Sequence, residues 1–183
     1  MSLPKHLGGH LNKTHIDNGS LDWAIRLFKV KSFLDIGCGP GGMVELAISK
    51  NLQSLGIDGD FTLKRFDKSK FVIHDFTQSP LVLDKDFDLC WSCEFVEHVE
   101  ELYIDNYMKT FISAKNVIMT YAPPGTPGHH HVNCKPAEYW IDIFQNYNFK
   151  YDDALTNELK THSTMKKPFI QKNGLFFTKC IEN

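Results

Sequence analysis

The chain has 183 residues, 42% of them hydrophobic and 23% charged, with a formal net charge of −2. This length and composition suit one soluble domain with a full hydrophobic core and give no support to a protein that coats a polyanion. No apolar run is long enough to span a bilayer, and the stretch Met1–His10 lacks the apolar core of a secretory signal, so the expected location is the cytoplasm.

Residues 1–19 are polar, contain Gly and His, and show no clear period. They read either as a loose tail or as a lid folded over a site, with the main domain over 20–183. Ser20 is a plausible N-cap, because Leu21, Ala24, Ile25 and Phe28 then fall on one helix face. Phe33-Leu-Asp-Ile36 ends a buried strand, and Gly37-Cys-Gly-Pro-Gly-Gly42 leads into a helix from Met43 to Lys50. Glycines suit that junction, since the backbone turns sharply and must let a ligand approach without a Cβ in the way.

Further strands are expected at 54–58, 71–75, 87–92 and 116–121, with helices over 61–68 and 97–114. Pro123-Pro-Gly-Thr-Pro-Gly128 breaks regular structure, and Pro136 opens a helix carrying Tyr139, Trp140, Ile143 and Phe144. A sixth strand is expected at 149–155 and a last one at 175–180, after the Asn173-Gly174 turn signal; 156–167 is too polar to assign. Strands alternating with helices indicate a doubly wound, mostly parallel α/β sheet in a single domain. Ligands of such sheets bind beyond the carboxyl ends of the strands, where Asp35, Asp58, Asp75 and Ser92–Glu94 would meet.

The five cysteines, Cys38, Cys90, Cys93, Cys134 and Cys180, are odd in number and scattered, which is no disulfide framework. Cys90-Trp-Ser-Cys93 lies on a strand with no second such pair, so two ordinary thiols are expected there. Gly37-x-Gly39-x-x-Gly42 with Asp58 also satisfies the dinucleotide fingerprint, which makes an NAD(P)-dependent oxidoreductase the rival reading. Asp35 weighs against it: a carboxylate beside the glycine turn sits badly near a pyrophosphate and suits a cationic ligand.

The ordered set Asp35-x-Gly37-x-Gly39-x-Gly41, Gly56-Ile-Asp58, His74-Asp75-Phe76, Phe87-Asp-Leu89 through Glu97-His-Val99, and Asn116–Pro124 resembles the class I S-adenosylmethionine-dependent methyltransferases, in their small-molecule branch. His131-Val-Asn133 through Phe149 resembles the branch's final stretch, with Asn148 in place of a glycine. The resemblance implies a Rossmann-like seven-stranded sheet with an antiparallel last strand and S-adenosylmethionine as cofactor. It places Gly37, Cys38, Gly39 and Gly41 against the methionine part and Asp35 near its amino group. It also places Asp58 with Gly59 at the ribose hydroxyls, Asp75 and Phe76 at the adenine, and Ser92 and Cys93 at the sulfonium end. Asp75 could instead simply cap the next helix, and Phe76 could be a core residue.

A non-catalytic S-adenosylmethionine-binding partner protein is the alternative from another class. Nucleic acid is disfavoured as acceptor. Ser92-Cys-Glu-Phe95 stands where amino-directed DNA methyltransferases carry an Asn/Asp-Pro-Pro-aromatic element, and there is no basic stripe. The expected acceptor is a small or terminal polar molecule methylated on oxygen or nitrogen. Glu94, His130 and His131 are the candidate general bases. Glu97 is read as stabilising a helix start. No metal is assigned: adjacent histidines alternate in direction on an extended backbone, and nothing in the sequence fixes the distance to Glu94 or His98. Nothing points to an oligomeric state.

Overall fold

The computed structural model describes residues 3–180; residues 1–2 of the N-terminal segment and 181–183 of the main domain lie outside them. Seven strands, β1 (Ser32–Ile36), β2 (Gln53–Asp58), β3 (Phe71–Ile73), β4 (Phe87–Ser92), β5 (Ala114–Thr120), β6 (Phe149–Tyr151) and β7 (Gly174–Lys179), form one sheet in the order β3-β2-β1-β4-β5-β7-β6. Strands β1 to β5 pair in parallel, and β7 runs antiparallel between β5 and β6. Six helices flank it: α1 (Asn18–Phe28), α2 (Gly42–Ser49), α3 (Ile104–Phe111), α4 (Ala137–Asn146), α5 (Asp153–His162) and α6 (Phe169–Asn173). Among the described residues no helix is long and apolar enough to cross a membrane, and all five cysteines are free.

Strand alternation sorts the core into two layers. Leu34, Ile36, Cys90, Val117, Met119 and Phe177 face one way, against Tyr107, Phe111, Trp140 and Phe144 of α3 and α4. Phe33, Leu89, Trp91, Ile118 and Phe176 face the other way, against Leu21, Trp23, Ala24, Met43, Ala47 and Leu159. Asp35 sits in register between Gly56 and Trp91 and is only 2% exposed.

Several local expectations are corrected. Asp17, not Ser20, caps α1: its Oδ1 accepts from the Ser20 amide at 3.0 Å. The same carboxylate accepts from the Ser20 and Ser163 hydroxyls and the Thr164 amide, so it also ties α1 to the end of α5. The 61–68 segment is not helical, because Asp60 turns it through the Thr62 amide and Arg65 is drawn inward to the Gly39 carbonyl. The helix expected over 97–114 is two 3-10 turns and then α3. Here the Glu97 carbonyl accepts from the Val132 and Asn133 amides at 2.9 and 3.1 Å, which diverts it from a helical ladder. Strand β6 stops at Tyr151, since Asp152 caps α5 through the Leu155 amide. Asn148 has φ +63°, a left-handed conformation that asparagine tolerates better than other residues with a Cβ. That conformation accounts for an asparagine standing where the family it resembles has glycine.

Asp17→Ala removes a cap and leaves four buried or half-buried donors short of their acceptor. Unfolding free energy in urea should fall by about 2–4 kcal/mol. A loss under about 0.5 kcal/mol, the level of an ordinary surface change, would show that this network is not a stabilising link.

Candidate active site

The turn after β1 is bound to β2 by backbone and side chain together. The Gly37 and Cys38 amides both donate to the Ile57 carbonyl, at 2.9 and 3.1 Å. Gly37 has φ +75°, and a Cβ there would stand 2.6 Å from the Phe95 ring. Gly41, at φ +91°, is the N-cap of α2 and packs against Phe71. Asp58 closes β2 and accepts from the Gly39 amide at 2.7 Å and the Asp60 amide at 2.8 Å. Arg65 completes the tie: its side chain, 3% exposed, donates to the Gly39 and Asp60 carbonyls and stands 3.5 Å from Asp58. The expected 61–68 helix concealed Arg65's role; a basic residue shortly after a strand-terminal acid was the available signal.

These strand ends open onto a cavity of about 410 Å³. Asp35, Gly37, Cys38, Gly39, Asp58, Gly59, Asp75, Phe76, Cys93, Glu94 and His131 line it; Gly41, Ser92 and His130 do not. Gly41 shapes the helix start. Ser92 is buried and donates its hydroxyl to the Ile36 carbonyl at 2.9 Å, which leaves it facing β1. His130 turns toward Glu100, with Nε2 3.6 Å from Oε1. Phe76 is both a lining and a core residue, in edge contact with Phe95 and Tyr107.

The three acids differ in what satisfies them. Asp35 has no side-chain hydrogen bond among the described residues, and burial, then the Asp58 charge, push its pKa well above the usual range. Burial also raises Asp58, against the opposing amides of Asp60 and Gly39 and the Arg65 charge. Two amides occupy two of its roughly four acceptor positions, so others remain for a ligand. Burial works to raise Asp75 too, but bonds from His6 and Thr77 prevail and hold it below the usual range. Its Oδ1 accepts from the Thr77 amide, a local turn, while Oδ2 is 2.8 Å from His6 Nε2.

The N-terminal segment forms another wall: His6–His10 and Lys13–His15 line the cavity. Besides the His6 contact, His10 Nε2 lies 3.0 Å from Asp60 Oδ2 and the Gly42 amide donates to Thr14 Oγ1 at 3.0 Å. Leu7 packs so closely on Gly59 that a Cβ there would collide with it. Asp60, like Asp75, is held below the usual range: burial raises it, and bonds from Thr62 and His10 outweigh burial. The carboxylate side of both clasps therefore contributes above the ordinary carboxylate range and is lost as pH falls through the lowered values.

Beyond β4 lies a second polar group. Glu94 has φ +55°, its amide donates to Thr120 Oγ1 at 2.8 Å, and burial pushes its carboxyl up to about 7. Glu97 is fully buried, not at a solvent-facing helix start, and burial with the nearby Glu94 charge raises it strongly. Burial, then the His131 ring, pushes His98 down to about 4. The His98 and His131 rings meet edge to face at 4.9 Å.

The double variant His6→Ala/His10→Ala should speed amide exchange in residues 3–14 by more than about tenfold, as expected of a segment held by few polar contacts. Exchange in α2 should stay unchanged. Hydrogen-exchange mass spectrometry at one pH reads both; unchanged protection of the segment would show that the clasps do not hold it.

Residues 34–117 match the family model described as a methyltransferase domain. A comparison with curated sequences returns no match. Among solved structures, a TehB-like S-adenosylmethionine-dependent methyltransferase from Corynebacterium glutamicum is 18% identical, with TM-score 0.59, over 81% of this chain and 80% of that one. The plantazolicin methyltransferase bound to S-adenosylhomocysteine and a desmethyl plantazolicin analogue is 15% identical, TM-score 0.59, over 89% and 82%. The magnesium protoporphyrin IX methyltransferase from Synechocystis, also with S-adenosylhomocysteine, is 14% identical, TM-score 0.56, over 87% and 81%. Residues 34–117 thus match a methyltransferase-domain model, and the sheet order β3-β2-β1-β4-β5-β7-β6 is the Rossmann-like fold of these solved methyltransferases, to which the chain is similar.

Proposed function

We propose that the chain methylates the oxygen or nitrogen of a small or terminal polar acceptor, with the cofactor held along the ends of β1, β2 and β3. The observation that carries the cofactor assignment is Asp35. A buried carboxylate with no hydrogen-bond partner is costly, and a cationic group placed beside it removes that cost. S-adenosylmethionine brings such a charge and supplies, when bound, a methyl group on an already activated sulfonium. A pyrophosphate would add repulsion instead, which counts against NAD(P). The remaining acceptor positions of Asp58 suit a pair of vicinal hydroxyls. Asp75 and Phe76 suit an amino-bearing aromatic base, with His6 competing for the same carboxylate oxygen.

The chain's own contribution is alignment and water exclusion. Good orientation is worth on the order of 7–11 kcal/mol, enough to supply much of the rate with no elaborate acid–base machinery. The N-terminal segment, as a lid, serves the exclusion of water. Glu94, on the cavity wall with its backbone fixed by Thr120, is the carboxylate placed to take the acceptor's proton. His131 remains in reach of the cavity, whereas His130 does not line it. The small acceptor agrees with relatives named for a plantazolicin analogue and for magnesium protoporphyrin IX.

Calorimetry should show S-adenosylhomocysteine binding and no heat with NAD; the reverse would overturn the cofactor assignment. Asp58→Ala should weaken S-adenosylhomocysteine by at least about tenfold, the equivalent of one lost charge-assisted bond. Near-native affinity would remove the ribose assignment.

Once an acceptor panel with labelled methyl donor identifies a substrate, Glu94→Gln should lower kcat by about 10²–10⁴-fold. S-adenosylhomocysteine affinity should stay within about threefold, a change under 1 kcal/mol. An unchanged kcat would assign the proton to water or to His131.

A further inference from the structure

The cluster behind the far cavity wall is not needed for methyl transfer from a sulfonium. Glu97, His98 and His131 each bring one ligand atom into a group whose members lie within 4.8 Å of one another. Glu97 is 0% exposed, neither of its carboxylate oxygens is held at full hydrogen-bond geometry, and the Glu94 carboxyl stands beside it. Left so, a carboxylate is among the most costly groups a core can hold. The histidines are arranged to complement it. His98 Nδ1 lies 2.8 Å from the His129 carbonyl, and His131 Nδ1 lies 3.0 Å from the Thr126 carbonyl. A carbonyl only accepts, so each neutral imidazole carries its proton on Nδ1 and keeps its lone pair on Nε2. Imidazoles that bind metals are oriented by this kind of backbone contact.

We propose that Glu97, His98 and His131 hold a divalent transition-metal ion. Two imidazole nitrogens and one carboxylate suit Zn²⁺ or its first-row neighbours better than Mg²⁺ or Ca²⁺, which prefer all-oxygen shells. The sequence offered no way to judge the distances. The fold sets them, because the Val132 and Asn133 amides dock the segment after β5 onto the Glu97 carbonyl. His98 and His131 line the cavity and Glu97 does not, so an ion held by the three would border the cavity. There it acts as a Lewis acid that holds the acceptor's oxygen or nitrogen. That role rests on the methyltransferase reading; the binding of the ion does not.

The test uses the full chain without an affinity tag, stripped with chelator and titrated with Zn²⁺ alone, then with Co²⁺ for its visible absorption. One Zn²⁺ per chain should bind at micromolar affinity or tighter, raise Tm, and displace the Co²⁺ spectrum. Glu97→Gln and His131→Ala should each weaken Zn²⁺ at least about tenfold, since even the residues supporting metal ligands matter by 10–100-fold. His162→Ala, on α5 and outside the cavity lining, should leave the Zn²⁺ affinity as it was. S-adenosylhomocysteine binding, measured on the same samples, reports whether each variant is folded. Absence of stoichiometric Zn²⁺ and Co²⁺ uptake by the unaltered chain overturns the site. So does undiminished uptake in Glu97→Gln and His131→Ala. Zn²⁺ binding without any S-adenosylhomocysteine binding would keep the ion site and remove the methyltransferase reading, and with it the Lewis-acid role.

Discussion

Asp35, one residue before the end of the central strand, is a buried carboxyl group, and no side chain of the described residues pairs with it. Its neighbour across the sheet edge, Asp58, has two amides and Arg65 close by. The asymmetry decides what the cavity accepts. Amides and a guanidinium are committed to Asp58, where they also fix the glycine turn. The remaining deficit of positive charge lies at Asp35, where a proton or a cationic group meets it. A dinucleotide fold uses its helix start for a phosphate. Here the same backbone geometry is preceded by a buried carboxyl group, which offers a phosphate no support while the architecture stays the same.

The strand order makes this arrangement possible. With β1 central, β2 and β3 on one side and β4 and β5 on the other, residues far apart in the chain reach one edge of the sheet. Crossovers that switch direction beside β1 open a crevice at the carboxyl ends. The acids on the β2 and β3 side are held by amides and hydroxyls from their own turns. On the β4 and β5 side the polar groups are held by the other strand's loop: Thr120 fixes the Glu94 backbone, and the 129–133 segment fixes Glu97 and His98. One half of the cavity is thus built locally and the other by tertiary contact.

This division also explains what could be read from the chain alone. Asp35, the glycine turn, Asp58 and Asp75 were legible because each stands within two residues of the carboxyl end of an apolar strand, so its place is set by its immediate neighbours. Ser92 followed the same rule and misled. At the last strand position the side chain alternates to one face or the other, and here the Ile36 carbonyl captures it. Helix α5 was hidden because Leu155 and Leu159 are nearly its whole apolar face, with Thr156 buried as a polar residue that donates nothing to a hydrophobic pattern. The role of Glu97 was out of reach for a deeper reason. A glutamate at the head of an apparent helix is a good helix-start residue by every local criterion. Only the loop after β5, docking from 35 residues further on in the chain, turns it inward.

The N-terminal segment stands apart from both halves in how it is held. Its anchors are mostly polar, namely His6 on Asp75, His10 on Asp60 and Thr14 on the Gly42 amide. Of its apolar side chains Leu7 packs on Gly59, whereas Leu11 and Ile16 are 80% and 43% exposed. Such a segment opens at a small fraction of the cost of unfolding the domain, since stability follows buried apolar contact. Asp75, which His6 touches, lines the cavity, so the segment and a ligand act on that same charge. A ligand that takes over the Asp75 oxygen displaces His6 and loosens the segment. A ligand that only reaches Asp35 and Asp58 leaves both clasps in place and is covered by them. The order of these contacts along the segment, His6 outermost in sequence and Thr14 nearest α1, favours peeling from the Asp75 end. Entry therefore need not disturb the Asp17 network that anchors α1 to the body of the domain.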